Sequence, residues 1–435
     1  MYRKLSAPVA IQWEVTPSCN HLCEWCYNFW RKESPLPLLP DNYEIVFQKV
    51  VDELIKNNVF SVVITGGEPM MVIKQIAPYI KQLSDANIQI YLNSNLTLLT
   101  SEKASLLQEI GIKSILVSLP TADSETCDRI TNSRNVVART TLGIKIAQDH
   151  GFPIMVNMVV SRDNLHQIRM TARHVASLGV KSFAATRASN PVPKSDFVQK
   201  VLSVGEFRQM LTVLDEVANE FNFRTDTIEA NPPCAFGEDH IERSHRFCSA
   251  GRNSCTIGYE GNIRPCNRLP MVYGNILSGL TNAWLKMDDC RSDEWIPIEC
   301  EECKMKLRCR GGCKADALVQ YGDLKKPDPL CDFEFMPEPK SQNIQPTTDN
   351  LFVANFELKL RREDFGGIAY VGNSSWIAIN HKMFELLSSK KKIIKLKEAK
   401  KILFTNINSA RLTMAFLIKN KILIPKNLVK GDSDD

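Results

Sequence analysis

The sequence predicts an α/β protein in three parts: a partial (β/α)6 TIM-like barrel, a cysteine-rich domain, and a small winged-helix-like α+β domain. Three observations carry this reading. Short β-rich runs alternate with helical patterns from residue 9 to about 190, and ten of the 14 cysteines fall between residues 230 and 335. A stretch rich in Pro, Gln, Thr and Asn, "FMPEPKSQNIQPTTDN", then precedes a second set of strand and helix patterns. The expected boundaries are 1–229 for the barrel, 230–335 for the cysteine-rich domain, 336–349 for a linker and 350–428 for the last domain.

The strand candidates of the first part are "VAIQWEVT", "FSVVIT", "IQIYLN", "KSILVSL", "PIMVNMVV" and "KSFAAT", with stretches between them long enough for crossover helices. Their continuous apolar character suits a parallel sheet buried on both faces, with chemistry on loops at the C-terminal strand ends. In the last part "LFVANFELKLRRE", "GGIAYVG" and "SWIAIN" read as strands, with turns at Gly366-Gly367 and Gly372-Asn373. Helices are expected at 381–388, 394–403 and 408–420.

Composition narrows the function classes. With 44% hydrophobic and 24% charged residues the chain has the balance of a globular protein in water. No apolar run nears the roughly 18 residues of a membrane span, and "MYRKLSAPVAIQWEV" has neither the length nor the cleavage pattern of a signal peptide. A cytoplasmic location is expected. There the cysteines stay reduced, so their dense spacing points to metal before disulfides. The net charge of +5 hides an asymmetry, because residues 344–430 carry 13 Lys and 3 Arg against 6 acids.

Cys19, Cys23 and Cys26 follow the first strand with the spacing Cys-x3-Cys-x2-Cys. Three sulfurs on a four-iron cube leave one iron open, as a catalytic site requires. A zinc knuckle with a distant fourth ligand is the plainer alternative. With Trp25 before the third cysteine, the segment resembles the radical S-adenosylmethionine (radical SAM) signature. That resemblance implies that the open iron chelates SAM and that an electron from the cluster cleaves it, giving a 5'-deoxyadenosyl radical that abstracts hydrogen from substrate. "TGGEP" matches the family's glycine-glycine-glutamate-proline motif, so Gly66, Gly67 and Glu68 are expected at the methionine ammonium. Asn93 ends strand three, as in the family's polar turn. Ser118 stands where the family contacts ribose or carboxylate, and Arg129 is the candidate for the carboxylate. Two departures accompany these: Pro120 replaces the usual aspartate, and Thr131 holds the commonest arginine position. "ATR", Ala185 to Arg187, lies where the family packs adenine.

From Cys248 the pattern is Cys-x12-Gly-x4-Cys, then Cys-x2-Cys-x5-Cys-x3-Cys, then a last cysteine. It resembles the SPASM domain of peptide-modifying radical SAM enzymes and implies two auxiliary 4Fe-4S clusters, three clusters in all. By resemblance Cys248, Cys255, Cys266 and Cys313 serve the first and Cys300, Cys303, Cys309 and Cys331 the second, with Cys255 supplying the eighth sulfur. A zinc ribbon built on Cys300, Cys303, Cys309 and Cys313 is the simpler alternative. Cys127, Cys234 and Cys290 match no motif and are expected to be small buried hydrophobes. Sulfatase maturases of this architecture keep an aspartate where Asn267 stands, and an amide cannot take a proton. The C-terminal segment resembles the PqqD-like element that captures leader peptides. Together these imply a peptide maturase whose partners are a precursor peptide and an electron donor such as flavodoxin or ferredoxin, with no membrane or nucleic-acid partner. A sulfatase-maturase-like, quinone-cofactor or haem-pathway enzyme is one alternative, and a cluster-bearing DNA-binding regulator is another.

Overall fold

The computed structural model describes residues 4–28, 36–191, 195–338, 345–372, 375–389, 393–403 and 405–428. They form two compact units: Ala7–Pro339, and Lys340–Asp435 together with Met1–Ser6.

The first unit begins β1 (Ala10–Glu14), α1 (Tyr43–Lys56), β2 (Ser61–Thr65), α2 (Ile73–Asp85), β3 (Gln89–Ser94), α3 (Ser101–Glu109) and β4 (Ile112–Ser118). Two helices, α4 (Ser124–Thr131) and α5 (Val136–Asp149), lead to β5 (Ile154–Val160). Then come α6 (Ile168–Ser177), β6 (Ser182–Arg187), α7 (Val204–Phe221) and β7 (Arg224–Asp226). Seven strands pair in chain order, all parallel. All six expected strands form; β7 was not expected, because its three residues "RTD" carry no apolar signal.

Alternation along the strands separates two faces. Ile11, Trp13, Val62, Ile64, Ile90, Leu92, Val117 and Val156 are fully buried beneath the helices. Trp13, for example, meets Phe47 of α1 edge to face at 4.9 Å. The other face carries Gln12, Glu14, Thr65, Asn93, Ser118, Asn157 and Thr186, and its polar character is unusual for a sheet of this kind.

The cysteine-rich region does not stand apart. It contributes β8 (Ser254–Ile257), β9 (Asn262–Arg264) and β10 (Gly274–Asn275), with short helices α8 (Gly237–His240), α9 (Leu280–Lys286), α10 (Lys306–Cys309) and α11 (Lys314–Tyr321). β8 pairs in parallel with β1, extending one sheet to ten strands in the order β10-β9-β8-β1-β2-β3-β4-β5-β6-β7. The reason is physical: an apolar β1 left as an edge would expose a row of unpaired amides. A second tie is Glu53 of α1, which accepts the Leu280 N–H at 2.9 Å and so caps the N-terminus of α9.

The second unit holds β11 (Leu351–Ala354), β12 (Lys359–Glu363), β13 (Gly366–Val371), β14 (Ser375–Ile379), α12 (His381–Ser388), β15 (Ile394–Lys395), α13 (Leu396–Leu403), α14 (Ile407–Lys419) and β16 (Leu423–Pro425). β12-β13-β14 form an antiparallel meander, and β15-β11-β16 form a second small sheet. The first expected strand is broken in two, because Asn355 makes a turn, its Oδ1 accepting from the Glu357 N–H and its carbonyl from the Leu358 N–H. The first hairpin turn is also displaced. Glu363 pairs with Gly366, so Asp364 and Phe365 make the turn and the glycines open β13. Gly367 is needed for packing, since a Cβ there would lie 2.2 Å from the Phe384 ring. Of the expected second turn, Asn373 lies outside the described residues. Among the described residues no helix is long and apolar enough to cross a membrane.

Candidate active site and cysteine pockets

The loop after β1 carries Cys19, Cys23 and Cys26, each half-buried, and Trp25, also half-buried. The Cys26 N–H donates to the Cys23 carbonyl at 3.1 Å, and the His21 N–H to Cys19 Sγ at 3.4 Å. The end of α4 holds the loop from one side, the Leu22 and Glu24 N–H groups donating to the Thr131 and Ile130 carbonyls at 2.9 and 3.1 Å. Thr131 thus serves the loop through its main chain.

The turn after β2 holds it from another side. Gly67 N–H donates to Thr16 O at 2.7 Å and Glu68 N–H to Ser18 O at 2.9 Å. Gly66 sits at φ +121°, and a Cβ on Gly67 would lie 1.9 Å from the Ser18 carbonyl oxygen, so only glycine lets the two loops meet this closely. Glu68 faces inward. Its Oε1 accepts from Ser94 Oγ (2.6 Å) and Met70 N (3.0 Å), and its Oε2 from Asn95 N (2.8 Å). Burial raises its carboxyl against the pull of these bonds. Glu68 thereby braces the turns after β2 and β3. Asn95 passes the brace on, donating through Nδ2 to Asn20 Oδ1 at 3.0 Å, between the first two cysteines.

Asn93 and Ser118 lie half-buried on the polar face of the sheet. Arg129 lies elsewhere: its side chain is 52% exposed and pairs with Asp163 at 3.2 Å, and Lys200 bridges Asp163 (2.9 Å) to Glu24 of the cysteine loop (2.6 Å). Arg187, expected near an adenine, is buried instead in ion pairs with Asp328 (2.6 Å) and Asp316 (2.9 Å).

Further residues complete the floor of the site. Glu14, fully buried at the end of β1, pairs with Arg264 of β9, and burial pushes its carboxyl up to about 7 against the pull of Arg264. Tyr27, beside Cys26, reaches Thr65 Oγ1 at 3.5 Å and the Asn267 side chain; burial and the Glu14 charge push its phenol well above its ordinary value. The sequence signal was a carboxylate inside the apolar run "AIQWEV". Gln12 Oε1, Glu14 Oε1 and Asn28 Oδ1 are buried without a hydrogen-bond partner among the described residues. Buried acceptors next to three thiols and a glycine cradle fit a cationic, donor-bearing cofactor such as SAM together with a cluster that the thiols hold.

The second cysteine array is divided between two cavities. One is lined by Cys234, Cys300, Cys303, Cys309 and Cys331. The other is lined by Cys248, Cys290 and Cys309 together with Arg310 and Lys314. Of the three cysteines without a motif, Cys127 and Cys290 are buried thiols pushed up by burial, as expected, whereas Cys234 is half-buried and lines the first cavity. Cys266 and Cys313 feel the charge of Cys248, which groups these three. Cys255 lines neither cavity; it pairs with Ile11 across β8 and β1 and so shares the helix-covered face. Burial raises Cys266 and Cys300 to about 11 and Cys309 to about 12, so these are thiols until a metal displaces the proton. Among the described residues no three His, Cys, Asp or Glu side chains converge on the spacing of a single ion, whereas an iron-sulfur cube sets its ligand sulfurs farther apart.

A buried ionic network locks this array to the sheet. Besides its pairs with the two aspartates, Arg187 donates to Asn231 Oδ1 at 2.7 Å. Arg268 pairs with Asp316 at 2.5 Å and donates to Cys313 Sγ at 3.3 Å, and Asp328 accepts the Cys313 N–H at 2.9 Å. Although burial opposes ionisation, Arg268 and Arg187 hold Asp316 well below the usual carboxylate range. Motif reading missed this network because its members are scattered over some 140 residues.

Residues 13–175 match the model of the Radical SAM superfamily. The chain is 26% identical to the AdoMet-dependent heme synthase of Methanosarcina barkeri over 76% of its own length and 98% of that protein. It is 24% identical to the PqqA peptide cyclase of Bradyrhizobium diazoefficiens, over 74% of this chain and 86% of the other. Among solved structures, Streptococcus suis SuiB bound to its precursor peptide SuiA shares the fold, with a TM-score of 0.59 at 17% identity over 75% and 76% of the two chains.

Proposed function

Because the chain is an enzyme of the radical SAM superfamily, we propose that it is a peptide maturase, installing a crosslink or related modification on a ribosomally made precursor. The observation that carries this reading beyond the family is the second unit. In the second unit the meander β12-β13-β14 ends on two outer strands, each laddered to β13, and addition of a strand to such an edge is a way in which extended peptides are captured. The surplus of positive charge in residues 344–430 favours an acidic leader.

In this reading Cys19, Cys23 and Cys26 hold one 4Fe-4S cluster. When bound, cluster and SAM supply a radical able to abstract hydrogen. The chain supplies orientation: Glu68, Asn95 and Asn20 fix the cysteine loop, and the acceptors of Gln12, Glu14 and Asn28 face the ligand. Glu14 is the buried carboxyl best able to hold or release a proton near Asn267. Cys300, Cys303, Cys309 and Cys331 hold one auxiliary cluster, and Cys248, Cys266 and Cys313 hold another. Cys255 is dropped from that set, given the sheet face it occupies.

Deleting residues 340–435 tests the proposal. Iron content and 5'-deoxyadenosine formation should persist under dithionite, while modification of full-length precursor at low concentration is lost. Unimpaired precursor modification refutes leader capture, and tight binding of duplex DNA by the full chain points to the regulator instead.

A further inference from the structure

Five cysteines, not four, line the first cavity, and an iron-sulfur cube takes four. The fifth is Cys234, which lies outside the spaced array and follows Pro232-Pro233. Its sulfur accepts the N–H of Asp332, the residue after Cys331, at 3.4 Å, which sets the two thiols side by side at the cavity wall. A brace holds the pair together: Arg208 of α7 donates to the Cys234 carbonyl and the Ala235 carbonyl, both at 3.1 Å, and to Asp332 Oδ2 at 2.5 Å. A backbone N–H aimed at a sulfur, with a charged clamp behind it, is the environment of a ligating thiolate rather than of a filler residue.

We propose that Cys234 is an alternative iron ligand of the cluster in this cavity, exchanging with Cys331 at a single iron. The exchange balances within the pair. As the Cys234 sulfur bonds to iron, its thiol proton passes to the departing Cys331 sulfur beside it. The cube keeps four sulfur ligands, its charge and its electron count, and no external acid or oxidant is needed. This rests on the reading that the cavity holds a cluster.

The experiment uses the full chain, reconstituted anaerobically with iron and sulfide. Cys303→Ala is the control for the underlying reading: if it keeps all its iron, the cavity holds no cluster, whatever Cys234 does. With that control lost as expected, Cys331→Ala should retain its full iron and show a shifted electron paramagnetic resonance signal on reduction. Cys234→Ala should also retain its iron, and the double variant should lose about four irons per chain. Loss of those irons in Cys331→Ala alone, or their retention in the double variant, overturns the exchange. Native wild-type protein gives a readout independent of variant folding: brief alkylation with a small thiol reagent should label Cys234 and Cys331 in part each, and label confined to Cys234 refutes the proposal.

Discussion

Gly67→Ala probes the contact on which the candidate site depends. The added Cβ would stand 1.9 Å from the Ser18 carbonyl oxygen and 2.4 Å from its carbon, both backbone atoms with no side-chain freedom to yield. Reaching even 3.0 Å requires the loops to part by about 1.1 Å. That movement stretches the 2.9 Å bond from Glu68 N–H to Ser18 O and displaces Cys19, the next residue. Overpacking of this kind costs about 1–3 kcal/mol. Weakening the hydrogen bond adds about 1 kcal/mol. A loss of roughly 2–4 kcal/mol should lower the melting temperature by several degrees. The more telling assay is iron per chain and 5'-deoxyadenosine formed under dithionite in the same preparation. Both should fall at least tenfold relative to wild type at a temperature where the variant is still folded. A variant with wild-type melting and wild-type SAM cleavage would refute the claim that these loops are in obligatory contact.

Further outcomes follow from other residues. Replacing Cys19, Cys23 and Cys26 together by Ala should remove about four irons and all SAM cleavage; residual 5'-deoxyadenosine would contradict the assignment. Arg187→Ala leaves Asp328 and Asp316 buried with a cation missing, so chemical denaturation should show a loss of about 3–5 kcal/mol, and a change under 1 kcal/mol would mean the network is not closed. Glu14, pushed up to about 7, keeps its proton in the folded state over a range where the unfolded chain has lost it, so folding stability falls as pH rises from about 4.5 to 7 and is flat above. Relative to Glu14→Gln, wild type should lose about 3 kcal/mol across that window; parallel pH profiles would count against a raised carboxyl. Chelating the iron should lower the unfolding transition of residues 7–339 and leave that of residues 340–435 unmoved, as calorimetry can resolve.

Much of the architecture was legible along the chain. Continuous β-branched runs such as "FSVVIT" and "PIMVNMVV", spaced by amphipathic helices, specify parallel strands through local propensity and period alone. Cysteine spacing marks the loop at Cys19 to Cys26 because ligands of one cluster lie close in sequence. The broken strand at Asn355 and the displaced turn at Asp364-Phe365 were less legible. A single side-chain hydrogen bond and the register of one hairpin decided them.

The sequence by itself determined which residues can form strands, helices and a three-thiol loop, since those depend on neighbours a few positions apart. Only the tertiary structure decided what those elements meet. It joined β8 to β1 and thereby turned Cys255 toward the helix-covered face while setting Arg264 against Glu14. It also drew Arg187 to Asp316 and Asp328, and Cys234 to the main chain of Asp332. Each of these pairings closes a span of roughly a hundred residues or more. A buried charge or thiol finds its partner by where the packed core leaves room for it, and no local pattern encodes that.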